Sequence, residues 1–246
     1  MKIDFMKISK NYYVSVLMFA FGLNSAVLHA SSDMDCLMEP NQSVDVSSPV
    51  SGIIESILVN RGEFVRKEQR IVSLRADLEQ ESVKLTKARY DFGKRSIERN
   101  EDLYKQNLIA IHDKDELETD TKLAQMEYEQ ALVRLNLKTI ESPISGYVIE
   151  RKKSVGEYVD SEAILTIVSI DPLYIEVVAP KEYLGKIKKG KKARIRPEKP
   201  IDKTYTAKVT IVDPVVDPAS GTFRIRLEMP NPNGKLPSGL KCSIEF

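Results

Sequence analysis

The eight residues Ser48-Pro49-Val50-Ser51-Gly52-Ile53-Ile54-Glu55 return 94 positions later as Ser142-Pro143-Ile144-Ser145-Gly146-Tyr147-Val148-Ile149. The register persists: Gly62-Glu63-Phe64-Val65 matches Gly156-Glu157-Tyr158-Val159, and Ile71-Val72-Ser73-Leu74 matches Leu165-Thr166-Ile167-Val168. A repeat of this kind is one structural unit used twice. Each copy reads as short strands: Pro and Gly make the first turn, Gly62 or Gly156 the second, and the runs Ile53–Val59 and Ile164–Ile170 are rich in β-branched residues. Neither copy can bury a core alone, so the two must face each other as a small β-sandwich made of residues 46–74 and 141–170.

What lies between the copies is of another kind. Residues 75–140 hold no proline and a single glycine, Gly93, and 26 of the 66 are charged, with both signs interspersed. Leu78, Leu85 and Phe92 recur at sevens, and Leu117, Thr121, Ala124, Tyr128, Ala131 and Leu135 alternate by four and three. That is the period of a coiled-coil seam, with Ala88, Ala124 and Ala131 allowing close approach. The pattern breaks between Leu103 and Asp115, which predicts two antiparallel helices of about 28 residues and an arm of roughly 40 Å. A spacer needs no apolar end, so Leu108, Ile109 and Ile111 at the far turn of a charged rod mark a contact surface.

Residues 171–246 return to β composition. Prolines punctuate predicted strands at Leu173–Ala179, Ala193–Arg196, Thr206–Val212, Phe223–Glu228 and Leu240–Phe246, the layout of a small barrel. Lys181–Lys188 reads as one short helix ended by Gly190, and Asn231-Pro232-Asn233-Gly234 as a turn. The run Lys186, Lys188, Lys189, Lys191 and Lys192 is a solvated loop face or a contact for an acidic partner or lipid headgroups. The whole is mixed β with an α-helical hairpin inserted between the halves of a split sandwich.

The first thirty residues have the form of a secretory signal peptide: Lys2, Lys7 and Lys10, an apolar run from Tyr12 to Leu23, then Leu28-His29-Ala30. An uncleaved membrane anchor is the alternative. Residues 31–45 follow as an N-terminal strand or tail. A formal net charge of +1, no tryptophan and no basic patch with interleaved aromatics argue against nucleic-acid binding. Cys36 and Cys242 stand as one disulfide or as two buried thiols. Met34, Cys36 and Met38 form a soft-ligand set that could hold Cu(I), the basis of an alternative reading as a periplasmic metal-binding or delivery protein. Beyond the predicted leader His112 is the sole histidine, so Ser-His-Asp, Cys-His and multi-histidine sites find no support.

The split Ser-Pro-x-x-Gly repeat, the hairpin inserted between its halves, and the segments Ala179-Pro180-Lys181-Glu182, Gly221-Thr222-Phe223-Arg224 and Asn231-Pro232 through Pro237-Ser238-Gly239 resemble the periplasmic adaptors, or membrane fusion proteins, of the HlyD and resistance-nodulation-division (RND) type. The resemblance covers residues 44–246. It implies a structural lipoyl-like domain without a cofactor, because the carrier lysine's hairpin is replaced by the coiled coil. It also implies a non-enzymatic protein of the periplasm, peripheral to the inner membrane. Its partners would be an inner-membrane transporter (RND-type favoured, ABC-type the other option), a TolC-type outer-membrane channel, and further copies of itself in a ring. Members that dock such a channel carry Arg, Leu and Ser at the hairpin tip; here the three positions are Arg99, Leu103 and Ala110. The family's fourth, membrane-proximal domain, built from both chain ends, is expected to be missing or vestigial.

Overall fold

The computed structural model describes residues 34–106, 108–201 and 203–246. The elements are β1 (Met34–Ser47), β2 (Gly52–Ile57), β3 (Phe64–Val65), β4 (Arg70–Leu74), α1 (Asp77–Lys105), α2 (Ile111–Asn136), β5 (Thr139–Glu141), β6 (Gly146–Arg151), β7 (Tyr158–Val159), β8 (Ala163–Pro180), β9 (Lys192–Pro197), β10 (Tyr205–Val212), β11 (Thr222–Met229) and β12 (Lys241–Glu245).

The repeat becomes a pseudo-twofold sandwich in which the copies exchange strands. β3 of the first copy pairs with β6 of the second, and β7 of the second pairs with β2 of the first. The hydrogen bonds repeat at the same 94-residue offset. Gly62 N–H donates to the Val148 carbonyl (2.7 Å) and Gly156 N–H to the Ile54 carbonyl (2.8 Å). Ser48 and Ser142 hydroxyls donate to the carbonyls of Val50 and Ile144. Glu63 and Glu157 carboxylates accept the N–H groups of Asn60 and Ser154, at 2.9 and 2.8 Å.

The motif's glycines are needed for two different reasons. Gly62 and Gly156 have φ of +87° and +90° with no atom near a potential side chain, so torsion demands them. Gly146 lies outside the left-handed region but backs onto the Val168–Ser169 backbone of β8, so space demands it. The apolar faces meet in a core of Ile54, Val65, Ile71, Leu74, Val148, Ile164, Leu165 and Ile167, all buried.

The third piece closes as a barrel. Strands run β1–β12–β9–β10–β11–β8, and β8 pairs back onto β1, so no edge remains in the ring. Met38, Leu173, Ile175, Val177, Ile195, Phe223, Ile225, Leu227 and Ile244 fill it. β1 and β8 run on through both bodies, pairing from Cys36↔Val177 in the barrel to Ser47↔Ala163 in the sandwich. The burial pattern of β8 changes on the way: Ile164–Val168 is covered throughout, whereas Leu173–Ala179 alternates in and out. At the joint, Asn231 holds the turn that follows β11. Its side-chain N–H group donates to the Ile170 and Leu236 carbonyls (2.9 Å each), and its backbone N–H donates to the Asp171 carboxylate at 2.9 Å.

Of the two options for residues 31–45, strand or tail, the chain takes the strand: β1 begins at Met34 and runs on to Ser47. The expected helix Lys181–Lys188 shrinks to a single 3₁₀ turn, Lys181–Tyr183, because Gly185 and Gly190 take positive φ and turn the chain into a loop.

The hairpin has the predicted antiparallel form. On α2 the packed face is Leu117, Thr121, Ala124, Tyr128, Ala131 and Leu135, as its spacing predicts. On α1 it is Val83, Thr86, Tyr90, Gly93, Ser96 and Ile97. Leu78, Leu85 and Phe92, expected at the seam, point outward with 83, 69 and 60% of their surface exposed, and Ala88 is exposed as well. The reason is steric: Gly93 sits against Thr121, and Tyr90 stacks on Tyr128 at 6.2 Å between centroids. Small and flat residues bring the helices closer than leucines would.

Candidate docking site at the hairpin tip

α1 ends at Lys105, Gln106 caps it, and Leu108 N–H reaches back to the Leu103 carbonyl at 3.0 Å. α2 starts from Ala110, in extended conformation (φ −65°, ψ 147°) and without a side-chain cap. A serine or aspartate there would accept an N–H of the first turn; alanine cannot. The position where the resemblance led to a serine is therefore the N-cap of α2.

The turn displays Leu108 and Ile111, 67 and 79% exposed, with Leu103 and Ala110 exposed beside them and Ile109 half-buried. Arg99 lies one turn below Leu103, exposed, its guanidinium 3.3 Å from the Ser96 hydroxyl. The structure thus gathers Leu103, Leu108, Ile109, Ala110 and Ile111 into one apolar cap, with Arg99 on its flank. Charge surrounds the cap: Lys105 bonds Glu101 at 3.1 Å, which holds its ammonium above the usual lysine range, and Lys114 reaches Glu118 at 3.6 Å.

Sequence reasoning missed the clasp that closes the tip. Lys114 of α2 lies over the Tyr104 ring of α1 at 5.7 Å. The signal was present: Tyr104 continues the series Tyr90, Ile97 by seven, and Lys114 stands three before Leu117.

The sulfur-bearing positions lie at the opposite end of the fold. Cys36 and Cys242 are a cross-strand pair of β1 and β12, joined by a disulfide with Cα atoms 4.8 Å apart. Met34, Cys36 and Met38 share the inward face of β1, but the Cys36 sulfur is taken by Cys242 and Met38 is sealed in the barrel core. That leaves no thiolate and no open Met38 thioether for a soft metal. Among the described residues no three His, Cys, Asp or Glu side chains converge, and no helix is long and apolar enough to cross a membrane.

Comparisons with known proteins match this architecture. Residues 42–169 match the CzcB-like barrel-sandwich hybrid domain, and residues 172–246 the CusB-like beta-barrel domain. Curated relatives include the multidrug resistance protein MdtE of Escherichia coli K12, 25% identical over 89% of this chain and 64% of its own length. Another is the toluene efflux pump periplasmic linker protein TtgG of Pseudomonas putida, 23% identical over 89% of this chain and 60% of its own. With 54% of an uncharacterised Haemophilus influenzae protein also covered, the chain spans a little over half to under two thirds of these relatives.

Among solved structures, a MacA-MexA chimera carrying the Pseudomonas aeruginosa MexA α-hairpin superposes with a TM-score of 0.74. It is 20% identical, covering 86% of this chain and 78% of the chimera. The membrane fusion protein Spr0693 of Streptococcus pneumoniae gives 0.70 at 16% identity, covering 87% of this chain and 98% of Spr0693. With both domain models in register and the hairpin between the sandwich halves, this chain belongs to the membrane fusion protein family of periplasmic adaptors.

Proposed function

We propose that the chain is the adaptor of a tripartite efflux system and acts in the periplasm by assembly, not catalysis. The hairpin tip docks an outer-membrane channel of the TolC type, while the lipoyl-like and barrel domains ring an inner-membrane transporter. The observation that carries the reading is the apolar cap of Leu108 and Ile111 at the end of a charged arm, where α1 alone, 29 residues long, spans about 43 Å. An exposed apolar tip on such a rod is a binding surface and not a structural need. The curated relatives named as a multidrug resistance protein and an efflux pump linker support an efflux role, and the RND beta-barrel family matched by residues 172–246 supports a transporter of that type.

Ring assembly is supported by the outward stripe. Arg89 of α1 pairs with Glu127 of α2 at 2.8 Å, which marks one broad face of the hairpin. By heptad position, Leu78, Leu85 and Phe92 of α1, and Leu123 and Leu137 of α2, flank this face. The facing side carries Lys84, Lys87, Asp91, Lys94 and Glu98 instead. Side-to-side packing of hairpins from neighbouring copies would cover the apolar stripe.

Ile109→Cys and Ile111→Cys, expressed in cells and treated with a thiol crosslinker, should trap an outer-membrane channel. Normal export of both variants with no channel adduct would overturn the docking claim.

A further inference from the structure

We propose that the barrel rim opposite the arm is a contact surface for an anionic phospholipid membrane. β8 enters from the sandwich at Ala163 and leaves the barrel at Pro180, so the loop from Lys181 to Lys192 stands at the end of the barrel far from the hairpin. That loop carries Lys181, Lys186, Lys188, Lys189, Lys191 and Lys192 against one acid, Glu182. All six lysines are exposed, and among the described residues none is in an ion pair. The β10–β11 turn lies alongside, tied by the Lys181 N–H donating to the Gly221 carbonyl at 3.0 Å. Its Asp217 carboxylate is spent within the turn, on the N–H groups of Ala219 and Ser220.

Charge alone would describe a solvated loop. The same rim, however, exposes Leu184 (49%) and Val215 (72%), and it sets aromatic rings beneath two lysines: Tyr183 under Lys186 at 5.9 Å and Phe246 under Lys191 at 5.7 Å. Apolar tips, half-buried aromatics and long flexible cations on one surface match the chemistry of a bilayer interface. There the rings and aliphatic groups enter the headgroup layer while ammonium groups remain at phosphate depth. A folded acidic protein is better gripped by arginine, whose planar fork fixes geometry, and this loop holds no arginine. Gly185 and Gly190, at φ of 80° and 92°, give the loop turns that follow a soft surface. The rim chemistry stands without the adaptor reading; only the choice of the inner membrane rests on it, since the arm then points away.

The test is co-sedimentation of the exported protein, isolated from the periplasm, with vesicles of phosphatidylcholine alone or mixed with phosphatidylglycerol. Binding is expected to the mixed vesicles only, to weaken as ionic strength rises, and to resist competition by inorganic phosphate. Each lysine contributes about fivefold, so K186Q/K188Q/K189Q should weaken binding on the order of a hundredfold. L184N should weaken it several-fold while leaving the melting curve unchanged. Equal binding to both vesicle types, no binding to either, or insensitivity to the lysine substitutions would overturn the proposal. So would lysine-dependent capture of an acidic transporter face by a protein that ignores vesicles. A chain that crosslinks the channel through Ile111→Cys yet ignores vesicles keeps the adaptor function and loses the membrane rim; the converse result does the opposite.

Discussion

Replacing Gly146 by alanine should be far more damaging than the same change at its repeat partner Gly52. A methyl carbon on Gly146 would lie 2.7 Å from the Val168 carbonyl carbon and 3.1 Å from Ser169 N, and nearer still to the Val168 oxygen. Carbon atoms approach at about 3.5 Å, so the shortfall to the carbonyl carbon is about 0.8 Å. It must be met by moving backbone. β8 cannot yield at this point, since Val168 is held on one side by Tyr147 of β6 and on the other by Ser43 of β1. Overpacking of this kind costs about 1–3 kcal/mol, and a rigid partner places it at the upper end.

At Gly52 the nearest atoms are the Leu74 Cδ1 at 3.2 Å and the Lys138 Nζ at 3.5 Å, both the ends of side chains, so no backbone has to move. The cost there is offset by about 0.4–1 kcal/mol of reduced unfolded-chain entropy. Thermal unfolding of the exported protein followed by circular dichroism should show G146A lowered by about 6–12 °C and G52A within about 3 °C of the parent. Equal melting temperatures for the two variants would refute the argument that the second motif glycine is there for space.

Three further outcomes follow from described contacts. The Cys36–Cys242 bridge links residues 206 apart, for which the chain-entropy model gives about 5 kcal/mol. C36S/C242S should therefore lose at least about 2 kcal/mol in denaturant unfolding, and a loss below about 0.5 kcal/mol would reject the bridge as a clamp. In the hairpin, a Gly93 methyl would meet the Thr121 hydroxyl oxygen at 2.5 Å, and that hydroxyl is buried without a hydrogen-bond partner among the described residues. G93A should cost about 1–3 kcal/mol and G93A/T121A should restore or exceed parental stability, as read by hydrogen exchange over 77–136. The Thr166 hydroxyl, and after it Lys152, holds the Asp45 carboxyl below its ordinary value of 3.8. The unfolded chain then binds the proton more readily, so this stabilisation is present above 3.8 and is lost as pH falls through the lower folded value. D45N should flatten the stability–pH curve below 3.8, and an unchanged slope would remove Asp45 from the account.

The repeat made the sandwich legible, because strand-forming residues recur with the two turns that join them. α2 was legible for a related reason: Leu117, Thr121, Ala124, Tyr128, Ala131 and Leu135 form an unbroken three-four series, and that is the face it packs. α1 carries two series at once. The series of larger residues, Leu78, Leu85 and Phe92, faces outward, while the packed one runs through Tyr90, Gly93, Ser96 and Ile97, whose value lies in smallness and flatness. Hydrophobic spacing reports a face, not which partner covers it. β1 was legible as a strand or tail over 31–45, but its reach to Ser47 and its double use were not. It serves the barrel with Cys36 and Met38 and the sandwich with Val44 and Val46, and the irregularity between Pro40 and Gln42 interrupts any single period. The apolar tip was visible as a run of residues without a structural use. The Tyr104–Lys114 clasp left only a faint trace in the spacing, since the turn makes neighbours of two groups ten positions apart on different helices.

The exchanged strands of the sandwich carry a kinetic consequence. Gly52 must find Val159, a search across more than a hundred residues that would be slow for a bare chain. The hairpin's own contacts are local to it, and helices form within about a microsecond. Once α1 and α2 zip together, the chain ends that leave them are already side by side, as the pairing of Ser73 with Thr139 records. Closure of a 66-residue loop is then replaced by closure of almost none. The arm that reaches outward in the finished protein is, during folding, the splint that sets the two halves of its base.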